Sequence, residues 1–236
     1  MRKTGMITAK SLIGAVCLFF LGCNSNSRET RIHFENKFPV EISVNKGIRD
    51  DLIIYLTGDG GWNRFSQNLV QEFEKHGYGV ISLNSLKYFK DQKTPAVFAG
   101  DLELLAEYYL KEWNKNSLII VGYSFGADVA SFLPGYLSSK LKGEVKKIAL
   151  LSPSASTDFV VRISDLLGMD DNEKGKYNVR QEIEKSQLPV VCIFGEKENL
   201  LLKKYVKTEN KVTVYNLPGG HRFNYNFNEL VQIISS

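Results

Sequence analysis

The sequence predicts an α/β architecture in which a mainly parallel sheet is covered by helices on both faces. Three observations lead there. Compact apolar runs such as DLIIYLT (51–57), SLIIVG (117–122) and KKIALLS (146–152) read as strands buried on both sides. Segments of helical period, FSQNLVQEFEKHG (65–77) and TPAVFAGDLELLAEYYLKEWN (94–114), separate them, as parallel crossovers require. A chain of 236 residues, 43% of them hydrophobic, holds enough apolar surface for one sizeable core and is too short for several.

Taken in order, residues 1–22 read as a signal segment: MRKTGMITAK supplies the positive start, and LIGAVCLFFL is an apolar stretch shorter than the ~20 residues of a membrane span. Phe20-Leu21-Gly22-Cys23 resembles a bacterial lipobox, with Phe20 where leucine is usual, so Cys23 is the expected lipidation site. Ordinary secretion with cleavage nearby is the alternative, and both place the mature chain outside the cytoplasm. Residues 23–30 are then the acylated cysteine and a polar tether, and residues 31–236 the folded domain. RIHFE and VEISV alternate apolar and polar residues, as strands at a sheet edge do. After DLIIYLT and the helix over 65–77 come the strand YGVISLN (78–84), the helix over 94–114, the strand SLIIVG and a helix over 125–137 interrupted by Pro134. KKIALLS, PVVCIFG (189–195) and KVTVYNL (211–217) complete the strands, and FNELVQII closes the chain as a helix. Between Ser154 and Leu188 the alternation lapses into a polar stretch that reads either as a lid or as a surface excursion.

Charge narrows the function classes. The net charge of +4 rests largely on Arg2, Lys3 and Lys10 in the leader; without those three cations it is +1, which gives no electrostatic case for nucleic acid. Of three cysteines, Cys17 leaves with the leader and Cys23 is acylated, so Cys192, inside PVVCIFG, stays as a single buried thiol with no disulfide partner.

The residues that carry chemistry begin with Gly122-Tyr123-Ser124-Phe125-Gly126. Gly-x-Ser-x-Gly between a buried strand and a helix is the context of a nucleophile elbow, which raises Ser124 above the carboxyl edge of the sheet. A hydroxyl needs a base. Of three histidines, His33 falls in an early strand pattern and His76 at a helix end; His221, in PGGHRF, lies in a loop after the last strand and in the order serine, acid, histidine. The orienting acid is expected just past PVVCIFG: Glu198 is chosen, Glu196 is next, and Asp158 after KKIALLS is third. Phe125 supplies one oxyanion N–H, and LTGDGGW (56–62) supplies the other from Asp59 or Gly60. No Gly-Lys-Ser/Thr follows TGDGG, so a phosphate-binding nucleotide loop is not indicated, and neither a metal nor a cofactor is implied. Asp59, Asp128 and Tyr123 are candidate substrate contacts, Asp128 having bracing of the helix after Ser124 as its structural alternative.

Together TGDGGW, SLKYF with KTP after it (85–95), GYSFGAD (122–128), LLSPSASTDF (150–159) and PGGHRF (218–223) resemble the bacterial virulence protein family of VirJ and AcvB, in order through most of residues 51–235. The resemblance implies an α/β-hydrolase of the bacterial envelope, with the nucleophile on Ser124 and the histidine on His221. AcvB-like members imply hydrolysis of the aminoacyl ester of lysyl-phosphatidylglycerol, hence a membrane phospholipid substrate and a periplasmic, lipid-anchored location. VirJ-like members imply a different role, as an envelope binding or assembly factor; an esterase for a small soluble ester is a third reading. The sequence departs from the family in the acid segment, where EKENLL with Asn199 and Leu200 follows Gly195, so Glu198 is an inference and not a motif match.

Overall fold

A computed structural model of the chain describes residues 37–162 and 175–236. The leader, Cys23, the tether, the strand expected at RIHFE with its His33, and residues 163–174 of the polar stretch lie outside the described residues. The domain from Phe38 onward is built on a seven-stranded sheet. Its strands are β1 (Val40–Ile42), β2 (Asp51–Leu56), β3 (Gly79–Leu83), β4 (Ser117–Tyr123), β5 (Val145–Leu151), β8 (Val190–Gly195) and β9 (Val212–Leu217), in the order β1-β3-β2-β4-β5-β8-β9. Only β1 runs antiparallel, pairing Val40 with Leu83. The two remaining strands, β6 (Ser156–Thr157) and β7 (Tyr177–Asn178), form a separate antiparallel pair within the polar stretch.

Burial explains the apolar runs. Every residue of β4 is buried, and so are all of β2 but Asp51, because helices cover both faces. One face meets α1 (Arg64–Lys75) and the C-terminal helix Phe227–Ser235: Ile53, Tyr55, Val121 and Leu151 share a core with Phe65, Leu69, Phe73, Leu230 and Ile234. The alternate strand positions Leu52, Ile54 and Leu56 turn to the other face, where a second long helix, Pro95–Glu112, packs on β2 and β4. Between these lies α2 (Ser85–Tyr88), and we label Pro95–Glu112 α3. Helix starts obey local chemistry: Asn63 and Thr94 accept the N–H of Ser66 and of Val97, and Pro95 opens α3 where no donor is required.

The helix expected over 125–137 is two: α4 (Phe125–Ala130) and α5 (Leu133–Tyr136), with Pro134 in the first turn of the second. Short helices that the sequence did not announce come next as α6 (Ser139–Glu144), α7 (Val179–Glu184) and α8 (Leu201–Tyr205), before the C-terminal α9 (Phe227–Ser235).

Candidate active site

β4 ends at Tyr123 and α4 begins at Phe125, so Ser124 takes the whole reversal, with φ 53° and ψ −122°. That backbone is strained for a residue with a side chain, at a cost of ~1–3 kcal/mol. Both flanking glycines are required by close approach. A Cβ on Gly122 would lie 2.4 Å from the carbonyl oxygen of Gly126, and one on Gly126 would lie 2.3 Å from that of Leu56. The Ser124 N–H donates to Leu151 O on the neighbouring strand at 2.8 Å, which pins the turn to the sheet edge.

Three loops from the same edge complete a bonded relay. His221 Nε2 stands 2.9 Å from Ser124 Oγ, and its Nδ1 stands 2.6 Å from Glu198 Oε1. Glu198 Oε2 accepts from the Gly195 N–H at 2.6 Å and from the Ser152 hydroxyl at 2.9 Å. Burial pulls the Glu198 carboxyl upward, but the hydrogen bonds from His221, Gly195 and Ser152 prevail and hold it below the usual carboxylate range. The ionised acid is therefore available to orient the ring. Lys203 supports this corner by donating its Nζ to Gly195 O at 2.6 Å and Glu196 O at 2.8 Å.

Tyr123 supports the loop of the histidine. Its phenol donates to the His221 carbonyl at 3.2 Å, and its buried ring stacks on Phe65 with centroids 4.1 Å apart. Asp128 likewise takes the bracing role: it is 2% exposed and accepts the Ser154 N–H at 2.5 Å, tying α4 to the segment after β5. Burial, with the nearby charge of Asp59 adding to it, pushes its pKa up to about 8.

The oxyanion donors separate as well. Phe125 opens α4, so its N–H has no intrahelical acceptor. Gly58 places the other loop against the elbow, since a Cβ there would sit 3.4 Å from Ser124 Cβ. In that loop the Gly60 N–H is taken by Asp59 Oδ1 at 2.8 Å, so of the two expected donors Asp59 keeps its N–H without that internal bond. The alternative acids are engaged elsewhere. Asp158 pairs with Arg162 at 2.8 Å and accepts the Lys176 N–H, and Glu196 is exposed with no bond to the histidine. His76 caps α1, its Nδ1 lying 2.9 Å from Glu72 O.

Lys203 belongs to no motif that the sequence displays, and Ser152, although it lies within LLSPSASTDF, is given no role there. Ser152 has a legible cue only once strand order is known: β5 and β8 are neighbours, and the Ser152 N–H bonds Ile193 O at 2.8 Å, two residues before Gly195. Cys192 lies fully buried in β8, and burial pushes its thiol up to about 12.

An elbow serine at the carboxyl edge of this sheet, with a histidine after the last strand, defines the α/β-hydrolase fold. Solved structures agree: a hydrolase from Oleispira antarctica (TM-score 0.60, 13% identity, 87% of this chain and 97% of that one) and Est1E from Butyrivibrio proteoclasticus (0.58, 16%, 83% and 89%). A lipase-esterase related protein from Clostridium acetobutylicum is similar too (0.57, 16%, 83% and 97%). Within that fold, residues 50–236 match the model of the bacterial virulence protein (VirJ) family, and the chain belongs to it. No significant relative is found among curated proteins.

Proposed function

We propose that the chain is a serine hydrolase that cleaves an ester, the aminoacyl ester of an aminoacyl-phosphatidylglycerol of the lysyl type. The observation that carries this reading is the continuous relay Ser124–His221–Glu198, bonded at 2.9 and 2.6 Å. Ser124 Oγ attacks the acyl carbon while His221 Nε2 takes its proton. The carbonyl oxygen gains its negative charge opposite the N–H groups of Phe125 and Asp59. The tetrahedral adduct then expels the alcohol, which receives the proton from His221, and water, activated by the same nitrogen, releases the amino acid. The lipid substrate rests on the AcvB resemblance, and the envelope location on the lipobox at Cys23.

The binding-factor reading requires no bonded relay, and the aligned histidine therefore favours turnover. The test is release of amino acid from lysyl- and alanyl-phosphatidylglycerol in detergent by the wild type and by Ser124→Ala. Loss by about 10³-fold or more in the variant is expected. Absence of release by the wild type, with Ser124 still labelled by a fluorophosphonate, would remove the lipid while keeping the hydrolase.

A further inference from the structure

Beside the relay, on the side of the histidine, the surface opens into a cavity of about 490 Å³ lined by Asn63, Arg64, Phe65, Asn68, Arg222 and Tyr225. Its walls are continuous with the machinery. Phe65 stacks on Tyr123, the residue before the nucleophile, and Arg222 is the residue after His221. Arg222 donates an Nη1 hydrogen to Tyr225 Oη at 2.9 Å and also bonds the Tyr123 phenol, which holds the guanidinium at the wall of the cavity. No carboxylate lines this space, and among the described residues neither Arg64 nor Arg222 is in an ion pair. Two permanent cations and two side-chain amides therefore converge on an opening with no internal counter-charge.

We infer that Arg64 and Arg222 form a subsite for a phosphate or phosphodiester carried by the alcohol half of the ester. This rests on the hydrolase reading above and deepens it. His221 must hand its proton to the departing alcohol, so that half of the substrate lies on the histidine side, where the two guanidinium groups stand. A phosphoryl group matches their forked donors in both charge and geometry. The cavity thus selects the leaving group. The same chemistry belongs to a phospholipid head group and to a soluble glycerol phosphate.

The test compares three alanyl esters that differ only in the alcohol: glycerol, glycerol 3-phosphate and micellar phosphatidylglycerol, with the full chain in detergent. The phosphorylated alcohols should be preferred over glycerol by roughly 10- to 100-fold in kcat/KM, mostly through KM, as charge-assisted bonds of this kind confer. In Arg64→Gln/Arg222→Gln that ratio should collapse toward one, a change that general damage to the fold would not produce. Preference for glycerol 3-phosphate as well as the lipid supports a site that reads the phosphate alone, and preference confined to the lipid supports one that reads the diester. Equal rates on all three esters overturn the subsite. If no ester is hydrolysed, calorimetry with glycerol 3-phosphate decides separately: binding that the double variant loses keeps the subsite while the hydrolase reading fails, and no binding by the wild type overturns it.

Discussion

Ser124 and Ser152 both hold a positive φ in the site, 53° and 52°, and Glu198 bears its charge. The acid accepts three hydrogen bonds, from His221, Gly195 and Ser152, so it is held ionised while the imidazole is held in one orientation. Glu198→Gln retains the shape but presents an amide to Nδ1 and disturbs the tautomer; kcat is expected to fall by ~10²–10⁴, measured at saturating substrate with the fold checked by circular dichroism. Asp128 gives a prediction of opposite kind. Its folded pKa is raised from 3.8 to about 8, so the native state holds a proton that the unfolded chain releases near pH 4. The stabilisation is complete below the unfolded pKa and is lost as pH rises toward 8, the reverse of the Glu198 case. Thermal melts of Asp128→Asn, whose amide oxygen still accepts the Ser154 N–H, should show a smaller decline in Tm between pH 5 and 8 than the wild type. Parallel pH dependences would contradict the buried, protonated aspartic acid. Ser124 and His221 are legible in the sequence because their motifs need particular neighbours: two glycines with no room for a Cβ, and a loop after the last strand. Glu198 rests there on an expected distance past the strand end. Tyr123 and Asp128 read as candidate substrate contacts in the sequence, and their burial, which no short motif encodes, gives both a place in the packing beneath the site.

At the scale of elements, β4, the elbow and α4 act as one unit. Gly126 passes so close to Leu56 and Thr57 that a methyl group there meets two backbone oxygens, at 2.3 and 2.5 Å. Gly126→Ala is therefore expected to lower Tm by several degrees and to slow fluorophosphonate labelling, because β2 and the oxyanion loop must move together. A fall in Tm with unchanged labelling would show that the elbow is independent of β2. Near the C-terminal end of α1, Phe73 is fully buried against Tyr78, and Phe73→Ala should cost ~3–5 kcal/mol in urea unfolding without altering the relay. The long strands and helices are legible because both faces of the sheet are buried and the helix stripes are long. The short elements are not. α6, α7 and α8 span one to two turns, too few residues for a period to show, and Pro134 divides what the apolar pattern joins.

Over the whole molecule, parallel strands deliver their loops to one edge, and the site is assembled from the loops at the carboxyl ends of β2, β4, β5, β8 and β9. The parallel character of the sheet can be read from the alternation of strand and helix; the convergence of Ser152 on the acid loop and of Arg64 on the histidine side requires the strands to be placed. The family and the fold name a hydrolase scaffold, and scaffolds host many functions, so turnover stands on the relay alone. Its most direct test is intact-mass analysis of the protein after exposure to a fluorophosphonate, with peptide mapping, for the wild type, Ser124→Ala and His221→Ala. The account predicts one adduct, on Ser124 in the wild type, none in Ser124→Ala, and labelling slowed by at least about 10²-fold in His221→Ala, in line with the loss of a general base. No adduct on Ser124, or labelling that does not depend on His221, would contradict it.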